Sequence, residues 1–293
     1  MPSHKNGVLL SIGASVLFGL LYYYTTLLSP LNGEQIFGWR TLLTWPFLTI
    51  FLLYRGEWSL AGKLLRSLYA KPQLILAVLF TTGMLGCQLW LFMWAPLHGR
   101  GLQVSLGYFL LPLTMVLAGR FVFKERLSRH QQAAVALAIL GVANQFVVVG
   151  APAWETMLVA LGYPFYFIVR RTLGTDNLGG LWLDMSLMLP VAAYFALFGL
   201  GGVHAFTLSP MLYLLVPVLG IISAAALICY ILASRILPLG LFGLLGYVEP
   251  VLLVAVALLI GESIAREEWL TYIAVWLGLS CLLVEGLKKR RTG

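Results

Sequence analysis

Apolar stretches of about 20 residues alternate along this chain with short polar connections, and about 20 residues of helix cross ~30 Å of hydrocarbon. Lipid offers a peptide group no water to bond, so a crossing run must satisfy its own backbone, as a helix does. Ten such runs are predicted, over 7–29, 34–54, 73–95, 101–123, 131–150, 154–169, 178–199, 210–234, 240–261 and 269–287. The first is longer than the apolar core of a signal peptide and lacks a small-x-small cleavage site, so it reads as a span. Between the second and third runs, Trp58, Leu60, Leu64, Leu65 and Leu68 interleave with Lys63, Arg66 and Lys71. That is the pattern of a short amphipathic helix anchored in membrane lipid at the leaflet surface.

Composition turns this pattern into a fold class. Only 10% of the residues are charged and 60% are hydrophobic, against a charged fraction near a quarter in soluble domains, so the chain is read as an all-α polytopic membrane protein. A net charge of +8 raises the question of nucleic acid, but the basic residues stand singly or in small groups between apolar runs and form no phosphate-binding face. Of the 19 Lys and Arg, only Arg100 and Arg266 fall on one side of the predicted topology and Arg40 inside a span. The others fall on the opposite side. The positive-inside rule then places both termini in the cytoplasm and favours an even number of crossings. Cys87, Cys229 and Cys281 lie in apolar runs without CxxC spacing, and the four histidines stand at the terminus or in connections. Three buried, inert thiols are expected, with no metal and no cofactor.

The sequence also repeats. Glu125-Arg126-Leu127-Ser128-Arg129 follows the fourth run and Glu262-Ser263-Ile264-Ala265-Arg266 follows the ninth. Leu106-Gly107-Tyr108 with Pro112 answers Leu245-Gly246-Tyr247 with Pro250, and Arg40 precedes Pro46 by the same spacing as Asp184 precedes Pro190. Each match pairs run n with run n+5. A five-helix unit has an odd number of crossings, so its second copy enters from the opposite side. The predicted architecture is two inverted five-helix repeats, 1–150 and 151–293, an arrangement that suits alternating access to a site near the midplane.

The segments Ser105-Leu106-Gly107-Tyr108-Phe109-Leu110-Leu111-Pro112, Lys124-Glu125-Arg126-Leu127-Ser128, Trp90-Leu91-Phe92-Met93-Trp94-Ala95 and Leu245-Gly246-Tyr247-Val248-Glu249-Pro250 with Gly261-Glu262 resemble the RarD branch of the EamA transporter family, in the drug/metabolite transporter superfamily. The resemblance spans essentially the whole chain. It implies a ten-helix inverted repeat in the bacterial inner membrane, transport of a small metabolite or drug, and peripheral positions for spans five and ten. This chain departs from the family pattern at Gly246, where a glutamine is expected, and at Lys124, where glycine is commoner.

A charge inside hydrocarbon costs about 2.5–3.5 kcal/mol on insertion scales, so each one calls for a partner, a cavity or a task. Glu249, just before a helix-loosening proline, is a candidate proton acceptor for coupling or a fixed helix-to-helix bond. Arg40, beside Trp39, cannot discharge, and needs either a substrate anion or a fixed acid such as Glu249. Asp184 is its repeat partner with reversed sign, a structural or substrate-binding acid. Gln88, Trp90, Tyr108 and Tyr247 are candidates for aromatic cavity walls with polar handles, while Asn144 and Gln145 read as glue between helices. Gly83 with Gly86 and Gly240 with Gly243 would allow close helix approach. The leading expectation is a secondary carrier of a small-molecule substrate, monomeric or homodimeric. The alternatives are an integral-membrane enzyme, for which no Walker, HExxH or G-x-S-x-G motif speaks, and a non-transporting receptor.

Overall fold

The computed structural model describes residues 4–122, 124, 127–149, 153–199, 202–237, 242 and 245–292. Among them the elements are helices: α1 (His4–Tyr24), α2 (Gly33–Tyr54), α3 (Trp58–Ala70), α4 (Gln73–Trp94), α5 (Gly101–Val122), α6 (Arg129–Asn144), α7 (Trp154–Thr172), α8 (Leu178–Phe198), α9 (His204–Leu208), α10 (Leu212–Ile236), α11 (Val248–Leu259) and α12 (Trp269–Thr292), with single turns of tighter or wider helix between some of them. Seven of the described helices, α1, α2, α4, α5, α6, α8 and α10, are long and apolar enough to cross a bilayer. Of the other three predicted spans, α7 has the length but carries Glu155, Arg170 and Arg171, α11 is described over 12 residues, and α12 ends in a basic run.

Helix starts follow from local chemistry. Asn32 and Gln35 form a reciprocal cap at α2, the Asn32 side chain accepting from the Gln35 N–H at 2.9 Å and the Gln35 side chain from the Asn32 N–H at 3.2 Å. Ser128 and Gln131 repeat this at α6, and Asn177 Oδ1 accepts from Gly179 and Gly180 at α8. At α5 the cap comes from a distant part of the chain. The Glu262 carboxylate accepts from the N–H groups of Gly101 and Leu102 at 2.7 and 2.8 Å, placing an anion on the positive end of the helix. Glu262 belongs to the repeated motif. Its counterpart Glu125, with Arg126, lies outside the described residues, as do Gly240 and Gly243.

Several helix contacts come in sets that exchange when predicted spans n and n+5 exchange. α1 packs on α10 as α7 packs on α4, α2 on α10 as α8 on α4, and α5 on α7 as α11 on α1. The pairs α2–α8, α5–α11 and α6–α12 map onto themselves, whereas α2 also packs on α4 without a comparable α8–α10 contact. The α2–α8 crossing is close because Gly38 lies against the Ala192 carbonyl and Ala196, where a Cβ would stand 2.5 Å from that oxygen. α6 and α12 pack side by side at one edge, joined by Asn144 Nδ2 donating to the Glu267 carbonyl and Thr271 Oγ1 at 2.9 and 3.1 Å.

The amphipathic segment forms α3, which buries Ala61 and Leu64 against its surroundings and contacts α8 while leaving Lys63, Leu65 and Arg66 exposed. The face it lies on is called the α3 face below. Arg235, ending α10, holds Glu57 of the α2–α3 connection there, with Nη2 to Oε2 at 2.7 Å and a second, shorter contact through Nη1. Two sequence expectations are corrected. Cys87 is exposed on α4, and Cys229 and Cys281 are half-buried, so none of the three is the buried thiol expected. Gly86 meets Met188, but Gly83 has nothing within 4 Å and brings no helix close.

Candidate functional site

Seven helices, α1, α2, α4, α5, α7, α10 and α11, contribute side chains to a polar cluster in the bundle interior. Its centre is Arg40, about 10 Å along α2 at ~1.5 Å per residue and only 4% exposed. Nε donates to Ser223 Oγ of α10 at 3.0 Å, and the guanidinium carbon sits 5.5 Å from the centre of the Phe92 ring of α4. Nη1 is buried with no hydrogen-bond partner. Among the described residues no ion pair within 4.0 Å neutralises Arg40.

Around this cation, Tyr108 of α5 and Tyr163 of α7 join hydroxyl to hydroxyl at 3.1 Å, with ring centres 5.8 Å apart. Phe92 meets Tyr108 edge-on at 6.1 Å, and Phe18 of α1 touches both Phe92 and Tyr230 of α10. Glu249, in the first turn of α11, is partly buried and lies within electrostatic range of Arg40, Tyr108, Tyr163 and Tyr230. It bonds with none of them. The site therefore holds a cation and a carboxylate near each other, with no ion pair to either among the described residues, amid aromatic rings.

The structure brings Arg40, Tyr108 and Glu249 together and leaves the other candidates elsewhere. Asp184 is wholly buried toward the α3 face, in a short ion pair with Arg170 of α7, and it accepts from Thr82 Oγ1 at 2.7 Å and Tyr166 at 3.1 Å. Arg170 also donates to the Gly180 carbonyl and Thr175. Asp184 is thus engaged by three protein groups and lies away from the Arg40 cluster. Arg170, expected in a solvated connection, is 1% exposed. Gln88 is a clamp between α4 and α7: Nε2 donates to the Leu158 carbonyl at 2.6 Å, directly over Gly162, and its Oε1 is buried without a partner.

Trp39 turns toward Phe206 of α9, ring centres 5.4 Å apart, with its buried Nε1 unpaired. Trp90 lies at the face opposite α3, where Nε1 donates to Glu34 Oε1 at 3.1 Å and the ring stacks on Trp154. Tyr247 packs with the cluster formed by α5, α6 and α12 and does not enter the site. Sequence reasoning missed the site role of Ser223, for which a lone serine in a span gives no signal. It missed the burial of Arg170 because two adjacent arginines at a span end look alike.

Membrane-length helices enclosing an incompletely neutralised charge and lined by aromatic rings define a polytopic membrane protein with an internal polar site. The chain belongs to the EamA-like transporter family, whose model matches residues 5–144, and it is a membrane transporter. It is 44% identical to an uncharacterized transporter of Pasteurella multocida over 96% of each chain. It is also 44% identical to the chloramphenicol-sensitive protein RarD of Pseudomonas aeruginosa, over 93% of this chain and 92% of that one. Identity to protein RarD of Escherichia coli is 28%, over 98% and 97%. One solved structure, described as a crystal structure of a protein, covers 97% of this chain and 99% of its own with a TM-score of 0.53 at 19% identity, a likeness of fold.

Proposed function

We propose that this chain is a secondary transporter of the bacterial inner membrane that moves a small metabolite or drug-like molecule by alternating access. Its halves, 1–150 and 151–293, rock about the Arg40–Glu249 site, and both termini and α3 lie in the cytoplasm. The observation that carries this reading is the unpaired state of the two charges. A static bundle would gain from joining Arg40 and Glu249, whereas a carrier must leave its central groups able to exchange partners. Glu249, partly buried and bonded to nothing among the described residues, is assigned the coupling proton.

The test is flux into proteoliposomes containing the purified chain, for a metabolite panel with chloramphenicol, with and without an imposed proton gradient. Uptake is expected to follow the gradient, to be lost in Arg40→Ala, and in Glu249→Gln to lose its response to the gradient. Conversion of a probe would indicate an enzyme, and binding without flux a receptor. Wild-type flux in both variants would remove these residues from the mechanism.

A further inference from the structure

The free end of Arg40 identifies the chemistry of what the site receives. A guanidinium stays ionised in any protein environment, while a carboxyl such as Glu249 can be neutralised by a proton, so the permanent charge of the cluster is positive. That charge is held in place on two sides: Nε is bonded to Ser223, and the flat face lies over Phe92. One of its terminal nitrogens, Nη1, is buried and unpartnered among the described residues. Leaving a buried charged donor unsatisfied is costly, so this end is shaped for an acceptor that arrives from elsewhere. A carboxylate suits it best, because it is a compact anion with planar acceptors that match the fork of a guanidinium.

The surroundings describe the rest of the molecule. Phe92 meets Tyr108 edge to face, Tyr108 and Tyr163 are tilted against each other, Tyr230 joins Phe92 through Phe18, and the Tyr108–Tyr163 hydroxyl pair is the neutral polar handle among these rings. A second negative group on the ligand would meet Glu249, which disfavours dianions. Resting on the transport reading above, we propose that the substrate is an organic monocarboxylate with a flat apolar body. Its carboxylate accepts from Arg40 Nη1, and its body lies against Phe92 and the tyrosine pair.

Three probes with one body separate the possibilities: 3-phenylpropionate, its neutral amide 3-phenylpropionamide, and 3-phenylpropylamine. Thermal stabilisation of the detergent-purified chain measures binding, and flux of the labelled probes into proteoliposomes measures transport. The acid is expected to bind at least about tenfold more tightly than the amide, the margin of a charge-assisted hydrogen bond, and the amine not at all. Arg40→Gln should remove that preference. Arg40→Lys, which keeps the charge without the fork, should retain part of it, and Ser223→Ala should weaken acid binding even if Arg40→Gln fails to fold. Equal binding of acid and amide, preference for the amine, absence of binding by all three, or acid binding unchanged by all three variants overturns the proposal. Acid that binds through Arg40 yet never crosses the vesicle wall leaves the assignment standing and ends the transport reading.

Discussion

Arg170 of α7 and Asp184 of α8 pair in the interior with neither side chain more than 1% exposed, and Thr82 donates to Oδ1 and Tyr166 to Oδ2 of the acid. A buried pair of this kind resists loss of one partner far more than loss of both, because the survivor is left charged in a medium of low polarity.

Asp184→Ala should therefore destabilise the protein by about 3–5 kcal/mol, and Arg170→Met by a comparable amount. The double variant Arg170→Met with Asp184→Leu should recover most of that loss. Thermal unfolding in detergent, read on all three proteins, checks it. A double variant as unstable as the sum of the singles would show that the charges themselves, and not their mutual compensation, hold α7 to α8.

The α4–α7 crossing depends on a missing side chain. A Cβ on Gly162 would stand 2.3 Å from Gln88 Nε2 and 3.1 Å from Met84 Cε. Gly162→Ala should cost about 1–3 kcal/mol through overpacking and the broken Leu158 bond. Adding Gln88→Ala should relieve part of it, so the two changes together cost less than their sum. An additive cycle would place the strain elsewhere.

Outside the membrane-spanning segments, the two-point hydrogen bond from Arg235 holds the Glu57 carboxyl below the ordinary carboxylate range. A carboxyl whose folded value lies below its unfolded one contributes stability at pH values above the unfolded value, about 4.3 for glutamate. That contribution disappears as pH falls through the depressed folded value. Unfolding temperature measured from pH 7 downward should fall more steeply in the wild type than in Glu57→Gln, the two curves converging in acid. Parallel curves would mean that the bond does not survive in solution.

Seven of the ten predicted spans were readable because length and hydropathy alone mark them. The division of the site was harder to read, and Tyr108 and Tyr247 show why. They are equivalent by motif, yet Tyr108 enters the central cluster and Tyr247 joins the α5–α6–α12 packing. Their distances to the following proline differ by one residue, and one residue is about 100° around a helix. Tyr247 also precedes the first turn of α11, while Tyr108 lies well inside α5. Arg40 and Glu249 stood out because charge in lipid is rare. Ser223, which fixes the orientation of Arg40, carries no such mark. Asp184 was visible as a charge, but its partner was not, since the burial of Arg170 depends on how α7 meets α8.

Arg40 and Asp184 stand at matching places in the sequence repeat, and one keeps an unpartnered donor while the other is held by Arg170, Tyr166 and, from the other half, Thr82. In a machine that turns by trading the roles of its halves, the two end states would have equal energy only if the halves were chemically alike. Here they are not. Under the alternating-access proposal, such unlike halves would give the unloaded carrier two end states of unequal energy and hence a resting preference for one side of the membrane.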